Sequence, residues 1–289
     1  MLKPIRLVAA AVLFWCLAGA AAAQPPMWVV RSHGATIVLF GSIHLLPAGL
    51  DWRPPALDAA IAKADDLWFE IPLDDASSLA ATRMAIKKGL EPNGVSLRAQ
   101  LPPADQTRLT HVAGLYGVPV DGLDHLRPWL AEVTLSVAAY RQAGAVQEEG
   151  VEHRLSSLAP QTVPRHAFET PEQQIGYLSQ CSDLDQIASL RETLGELEAG
   201  HASYDRLVAA WMAGDVARIQ TEAVDPLKIQ APGVYKALVV DRNRRWIKLI
   251  LARLREPGES VMVVGVGHLV GPDSVPALLR ARGVSVEGP

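Results

Sequence analysis

Thr36-Ile37-Val38-Leu39-Phe40-Gly41-Ser42-Ile43-His44-Leu45 and Ser260-Val261-Met262-Val263-Val264-Gly265-Val266-Gly267-His268-Leu269 share one build: an apolar run, a glycine, two residues and a histidine. Each run has the length and β-branched character of a buried strand. Each glycine falls where its strand should end and allows a sharp turn there. Each histidine is then expected just past the carboxyl edge of a strand, where open α/β sheets hold ligands. Two imidazoles delivered alike from opposite ends of the chain point to one two-fold-like site. The spacing by itself does not mark them, because Gly122 to His125 and Gly150 to His153 have it too. Neither of those follows an apolar strand, and both read as helix-start or surface histidines. The plainer alternative for His44 and His268 is a pair of strand-end histidines bonded to nearby carbonyls.

Around these units the pattern alternates strand and helix. Met27-Trp28-Val29-Val30-Arg31 and the run at 36–40 flank Ser32-His33-Gly34, a hairpin signal that puts His33 in solvent. A helix is expected over 54–64, then a strand at Asp66-Leu67-Trp68-Phe69-Glu70-Ile71, stopped by Pro72. Strand, helix and strand in so short a span read as a βαβ unit. The middle is helical over 102–115, 128–143 and 148–158. Residues 162–169 read as a short strand whose Pro164 suits an edge or a start. Thr170-Pro171-Glu172-Gln173 then opens a helix with a capping box. Residues 183–255 read as a series of helices, and Glu256-Pro257-Gly258-Glu259 breaks the last of them. After the second strand and histidine come a helix over 273–281 and a short strand at 284–286. Strands gather at both ends, so the ends must meet in one sheet or leave bare edges. No Pro/Ser/Gly-rich linker divides the chain. The expectation is a mixed α/β fold, one domain over 24–289 with a helical insertion at about 100–255.

Residues 1–23 are set apart. Lys3 and Arg6 precede an apolar run at 7–17, and Ala21-Ala22-Ala23 precedes Gln24, the layout of a cleavable secretory signal peptide. The run is short for a membrane span and lacks a stop-transfer flank. Phe14-Trp15 before Cys16 is too bulky for a lipoprotein cleavage box. The expected product starts at Gln24 and is periplasmic or secreted. It keeps one cysteine, Cys181, which excludes an internal disulfide and a cysteine-based zinc cage. The net charge of -4 over 289 residues argues against nucleic acid as a partner. No basic amphipathic helix indicates membrane binding. The expected partner is a peptide or small-molecule substrate.

Several polar residues are candidates for chemistry. Glu70 ends its strand on the rim expected to carry His44, where a glutamate can ligate a metal, act as a base or pair with an arginine. Glu169 holds a similar place before a helix, although the helix dipole alone favours an acid there. In Arg242-Asn243-Arg244-Arg245-Trp246, helical spacing puts Arg242 and Trp246 on one face with Arg245 beside them. An inward guanidinium needs an acidic or phosphate partner; the alternative is a solvated charged turn. Ser42, two residues before His44, reads as structural in the absence of a visible base. HExxH, P-loop, GxSxG and CxxC motifs are absent.

Eight segments in this order resemble the TraB/PrgY/GumN family, which includes the TIKI-type metalloproteases. They are Leu39-Phe40-Gly41-Ser42-Ile43-His44-Leu45-Leu46-Pro47, Trp68-Phe69-Glu70-Ile71, Arg127-Pro128-Trp129, Gly150-Val151-Glu152, Phe168-Glu169-Thr170-Pro171-Glu172-Gln173-Gln174, Trp211-Met212-Ala213-Gly214-Asp215, Arg242-Asn243-Arg244-Arg245-Trp246 and Val264-Gly265-Val266-Gly267-His268-Leu269-Val270-Gly271. The resemblance spans nearly all of the chain after residue 23. It implies an erythromycin-esterase/ChaN-like mixed sheet built from two related halves and wrapped by helices. It also implies, in the TIKI branch, a metal-dependent peptidase. Carried over, His44, His268 and Glu70 are the implied catalytic and metal-binding residues, with Glu169 as a further ligand and Arg242 stabilising an oxyanion or a substrate carboxylate. The implied cofactor is a divalent ion held by N and O donors, with Mn, Co or Zn all fitting. Two other readings stand beside it. One is a metal-independent, esterase-like hydrolase in which His44 is the base and Glu70 orients it. The other is a haem, iron or peptide-signal binding protein without turnover.

Overall fold

A computed structural model describes residues 24–92 and 94–289. The expected signal peptide lies outside these residues. Eight strands occur among them: β1 (Met27–Ser32), β2 (Ala35–Ser42), β3 (Leu46–Pro47), β4 (Asp66–Phe69), β5 (Ala145–Val146), β6 (Arg165–Ala167), β7 (Gly258–Gly265) and β8 (Ser285–Glu287). Six form one mixed sheet in the order β6-β4-β7-β2-β1-β8, and β3 pairs with β5 in a small second sheet. β6, β4, β7 and β2 run parallel to one another, while β1 is antiparallel to both β2 and β8.

The β1–β2 hairpin turns through His33 and Gly34 at φ 48° and 84°, the two left-handed residues that a type I′ turn requires. β2 and β7 are buried on both faces, as Ile37, Leu39, Phe40, Val261, Met262 and Val263 are. That explains their unbroken apolar sequence, since helices cover both sides of a parallel sheet. The helix Pro55–Lys63 links β2 to β4, as the βαβ reading expects. The two strands are not neighbours, however, because β7 from the far end of the chain lies between them. The helical middle region contributes β6, which joins the sheet on the free side of β4. The helix Pro171–Ser179 starts with the expected capping box between Thr170 and Gln173.

The two motif glycines serve a purpose other than turning. Neither has a positive φ, and Gly265 sits at φ −49°. A Cβ on Gly41 would lie 2.7 Å from Cγ2 of Val266, so the close approach of β2 to the turn after β7 requires glycine. Helices from the middle of the chain secure the β2 exit. Trp211 Nε1 donates to the Gly41 carbonyl at 2.8 Å, and the Tyr204 hydroxyl donates to the Leu45 carbonyl at 2.9 Å. A second apolar cluster, including Leu97, Leu109, Leu135, Leu190 and Leu194, holds the helical region together.

Candidate active site

The parallel strands β2, β4, β6 and β7 all end on one rim. His44 follows β2, Glu70 follows β4, Glu169 follows β6, and His268 closes the short 3₁₀ turn after β7. The helix Asp241–Arg253 lays Arg242, Asn243 and Trp246 against that rim. A π-helical turn, Lys236–Val240, runs directly into this helix.

Arg242 is the hub. It is 5% exposed, and a guanidinium carries five N–H bonds. Nε donates to both oxygens of Glu169 at 3.0 Å. Nη2 reaches Glu70 Oε2 at 2.6 Å and Glu169 Oε2 at 2.9 Å. Nη1 donates to His268 Nε2 at 3.1 Å and to the Leu238 carbonyl at 3.4 Å. Every donor is engaged, so Arg242 serves here as a buried counter-charge, with no N–H left over for the expected oxyanion or substrate carboxylate. Glu169 also accepts from Trp246 Nε1 at 2.8 Å. Glu70 accepts from the Gly265 amide at 2.7 Å. Burial alone would push the Glu70 carboxyl up, but Arg242, helped by the histidines and the Gly265 amide, holds it well below the usual carboxylate range.

The two motif histidines are placed in opposite electrostatic settings. His268 is 7% exposed. Arg242 can only donate, so Nε2 of His268 accepts and Nδ1 carries the proton, which it donates to Asn243 Oδ1 at 2.7 Å. Asn243 is oriented for this by its own donor, 2.8 Å from the Asp273 carbonyl. Burial and then the Arg242 charge lower His268 to about 3, so it is neutral at physiological pH. His44 has 58% of its side chain exposed, and its Nδ1 lies 2.7 Å from Glu152 Oε1, which also accepts from Ser42. The Glu152 carboxylate raises His44 to about 9, against the opposing effect of desolvation. The point that a Cβ on Gly265 would occupy is 3.1 Å from Glu70 Oε1, 3.7 Å from His44 Nε2 and 3.7 Å from His268 Cδ2. Gly265 therefore keeps open the space on which the three side chains converge.

The donors do not fit a metal ion. Both oxygens of Glu169 are taken by Arg242 and Trp246, and the lone pair of His268 Nε2 is taken by Arg242. Glu70 already shares its charge with the same guanidinium. An ion bound there would face that cation across a hydrogen bond. Among the described residues, no three His, Cys, Asp or Glu side chains are grouped as ligands would be.

A sequence model of the TraB/PrgY/gumN family matches residues 26–288. The chain belongs to the TraB/PrgY/gumN family. It is also similar to the uncharacterized protein YbaP of Escherichia coli (strain K12), with 24% identity over 243 residues, which covers 84% of this chain and 87% of YbaP. YbaP of Shigella flexneri matches to the same extent. Within this TraB/PrgY/gumN chain, the rim brings together His44, Glu70, Glu169, Arg242 and His268 from five separate segments. Sequence reasoning missed Glu152 and Asn243 as partners of the two histidines. Gly150-Val151-Glu152 carried a usable signal. A side chain on Gly150 would overlap the His44 carbonyl oxygen, and the Val151 amide donates to the Ile43 carbonyl at 3.2 Å. Glu152 is thereby delivered beneath the imidazole.

The opposed histidines define an expected pH profile of stability. His268 titrates at about 3 in the folded state and near 6.5 when unfolded, so only the unfolded chain binds its proton between those values. This group should remove about 1.4 kcal/mol of stability per unit as pH falls from 6.5 toward 3. His44 has the opposite sign: its pairing is fully present below 6.5 and is lost as pH rises through about 9. Urea midpoints measured from pH 4 to 10 should peak near neutrality. A midpoint that climbs steadily into acid would contradict the assignment of His268, and one that does not fall between pH 7 and 10 would contradict that of His44.

Proposed function

We propose that this chain is an exported hydrolase of peptide or ester bonds that uses His44 and Glu152 as its acid/base pair. The observation that carries this reading is the Glu152 carboxylate 2.7 Å from Nδ1 of an imidazole whose Nε2 faces the space kept open by Gly265. In the neutral form of His44, Nε2 takes a proton from water as the water oxygen adds to the substrate carbonyl carbon. Glu152 stabilises the imidazolium that results, and Nε2 then returns the proton to the leaving amine or alcohol. Glu152 thus replaces Glu70 as the residue that orients the base. Because Glu152 keeps His44 protonated up to about pH 9, kcat/KM should rise with pH through the neutral range.

The peptidase preference comes from the resemblance to the TIKI branch. The metal of that branch is left out, because Arg242 already occupies the donors. Turnover of a peptide and ester library, with and without a strong chelator, tests the reading. Hydrolysis should persist in chelator. Activity lost to chelation and restored by Mn, Co or Zn would overturn the mechanism, and tight peptide or haem binding without hydrolysis would favour a binding protein. Export rests on the charged start, apolar run and Ala21-Ala22-Ala23 of the sequence. The protein recovered from the periplasm should begin at Gln24; recovery of Met1 there would contradict cleavage.

A further inference from the structure

Tyr177 lies between two arginines that are used in opposite ways. Arg242 Cζ is 5.5 Å from its ring centroid, with every donor spent inside the protein. Arg245 Cζ is 4.4 Å from the same centroid and is exposed. Among the described residues, no carboxylate or carbonyl accepts from Arg245. Its guanidinium borders a cavity of ≈ 300 Å³ whose lining includes Gly176, Tyr177, Gln180, Lys236 and Asp241. Lys236 and Asp241 neutralise each other at 2.6 Å, so the uncompensated charge of this lining is that of Arg245. The ring holds the planar fork in place and leaves its N–H edge free, which reduces the ordering lost when a carboxylate docks two-pronged. The same ring faces Arg242 of the rim network on one side and Arg245 on the other, which sets the platform beside that network.

We propose that the cavity beside Tyr177 is a substrate subsite in which Arg245 binds a carboxylate group of the substrate, away from the bond that is broken. The site favours peptides with a free C-terminus or an acidic side chain over their amides. This rests on the peptide-hydrolase reading for the class of substrate, and its test needs no turnover. The full-length protein carrying His44→Asn, which removes the base, is labelled with ¹⁵N-arginine and titrated with N-acetyl-tetraalanine as the free acid and as the amide. The Arg245 Nε–H signal should shift saturably with the acid, with an affinity at least tenfold above that for the amide. Arg245→Lys should keep part of the preference as measured by calorimetry, and Arg245→Ala should abolish it. Equal response to acid and amide, no response to either, or a preference that survives Arg245→Ala would each overturn the subsite. A failed hydrolase assay together with the expected shift would count against the catalytic reading alone.

Discussion

Replacing Arg242 by alanine is expected to cost about 3–5 kcal/mol of stability, the usual effect of breaking a buried ion pair from one side. The reason lies in what remains. Glu70 and Glu169, 6% and 5% exposed, would lose their common cation, and His268 Nε2 would lose its donor. The pH dependence identifies the cause. In the wild type, Glu70 is held below the usual range, so its contribution to stability is intact from pH 7 to pH 5 and is lost only below about 4.5. In the variant, burial without Arg242 should push the Glu70 carboxyl up, so that protonation relieves its unpaired charge. The gap between variant and wild type should therefore narrow from pH 7 to pH 5. Arg242→Lys keeps the charge but not the five-donor fork, and should fall between the two. Urea unfolding at both pH values checks this. A variant within about 1 kcal/mol of wild type at pH 7 would show that the hub is not what holds the rim together.

Changing His44 should separate chemistry from folding. His44→Asn keeps an N–H for Glu152 but removes the nitrogen that faces the open space. Hydrolysis should fall by about 10²–10⁴-fold, the range for a positioned acid/base group. The urea midpoint should fall only by what the His44–Glu152 pair contributes, a modest amount because 58% of the His44 side chain is already in water, and far less than in Arg242→Ala. Glu152→Gln is the companion test. Without the carboxylate, His44 should titrate closer to its ordinary value than to about 9, and the rising limb of the pH–rate profile should move toward acid. Full activity in His44→Asn, or an unmoved pH profile in Glu152→Gln, would remove His44 from the mechanism. His268→Ala, by contrast, should destabilise the fold, since the ring is 7% exposed and bonded on both sides.

The strands around His44 and His268, the hairpin at His33-Gly34, the capped helix at Thr170 and the placement of Glu70 and Glu169 at strand ends were all legible in the chain. These are local properties: side-chain periodicity, turn chemistry and capping act over a few residues. The spacing put Arg242 and Trp246 on one helix face but left open whether Arg242 points inward or lies in a solvated charged turn. What the sequence could not show depended on distant partners. Glu152 meets His44 from 108 residues away, and Arg242 meets Glu70 from 172 residues away. The first follows from the docking of Val151 on the Ile43 carbonyl, the second from the insertion of β7, which follows the Arg242 helix, between β2 and β4; no local pattern encodes either. These two long-range dockings also decide the two charge states. Two strand-end histidines with identical spacing look like twins in the sequence. Tertiary packing puts a carboxylate against one and a guanidinium against the other, and at hydrogen-bond distance the sign of that neighbour decides which ring holds a proton.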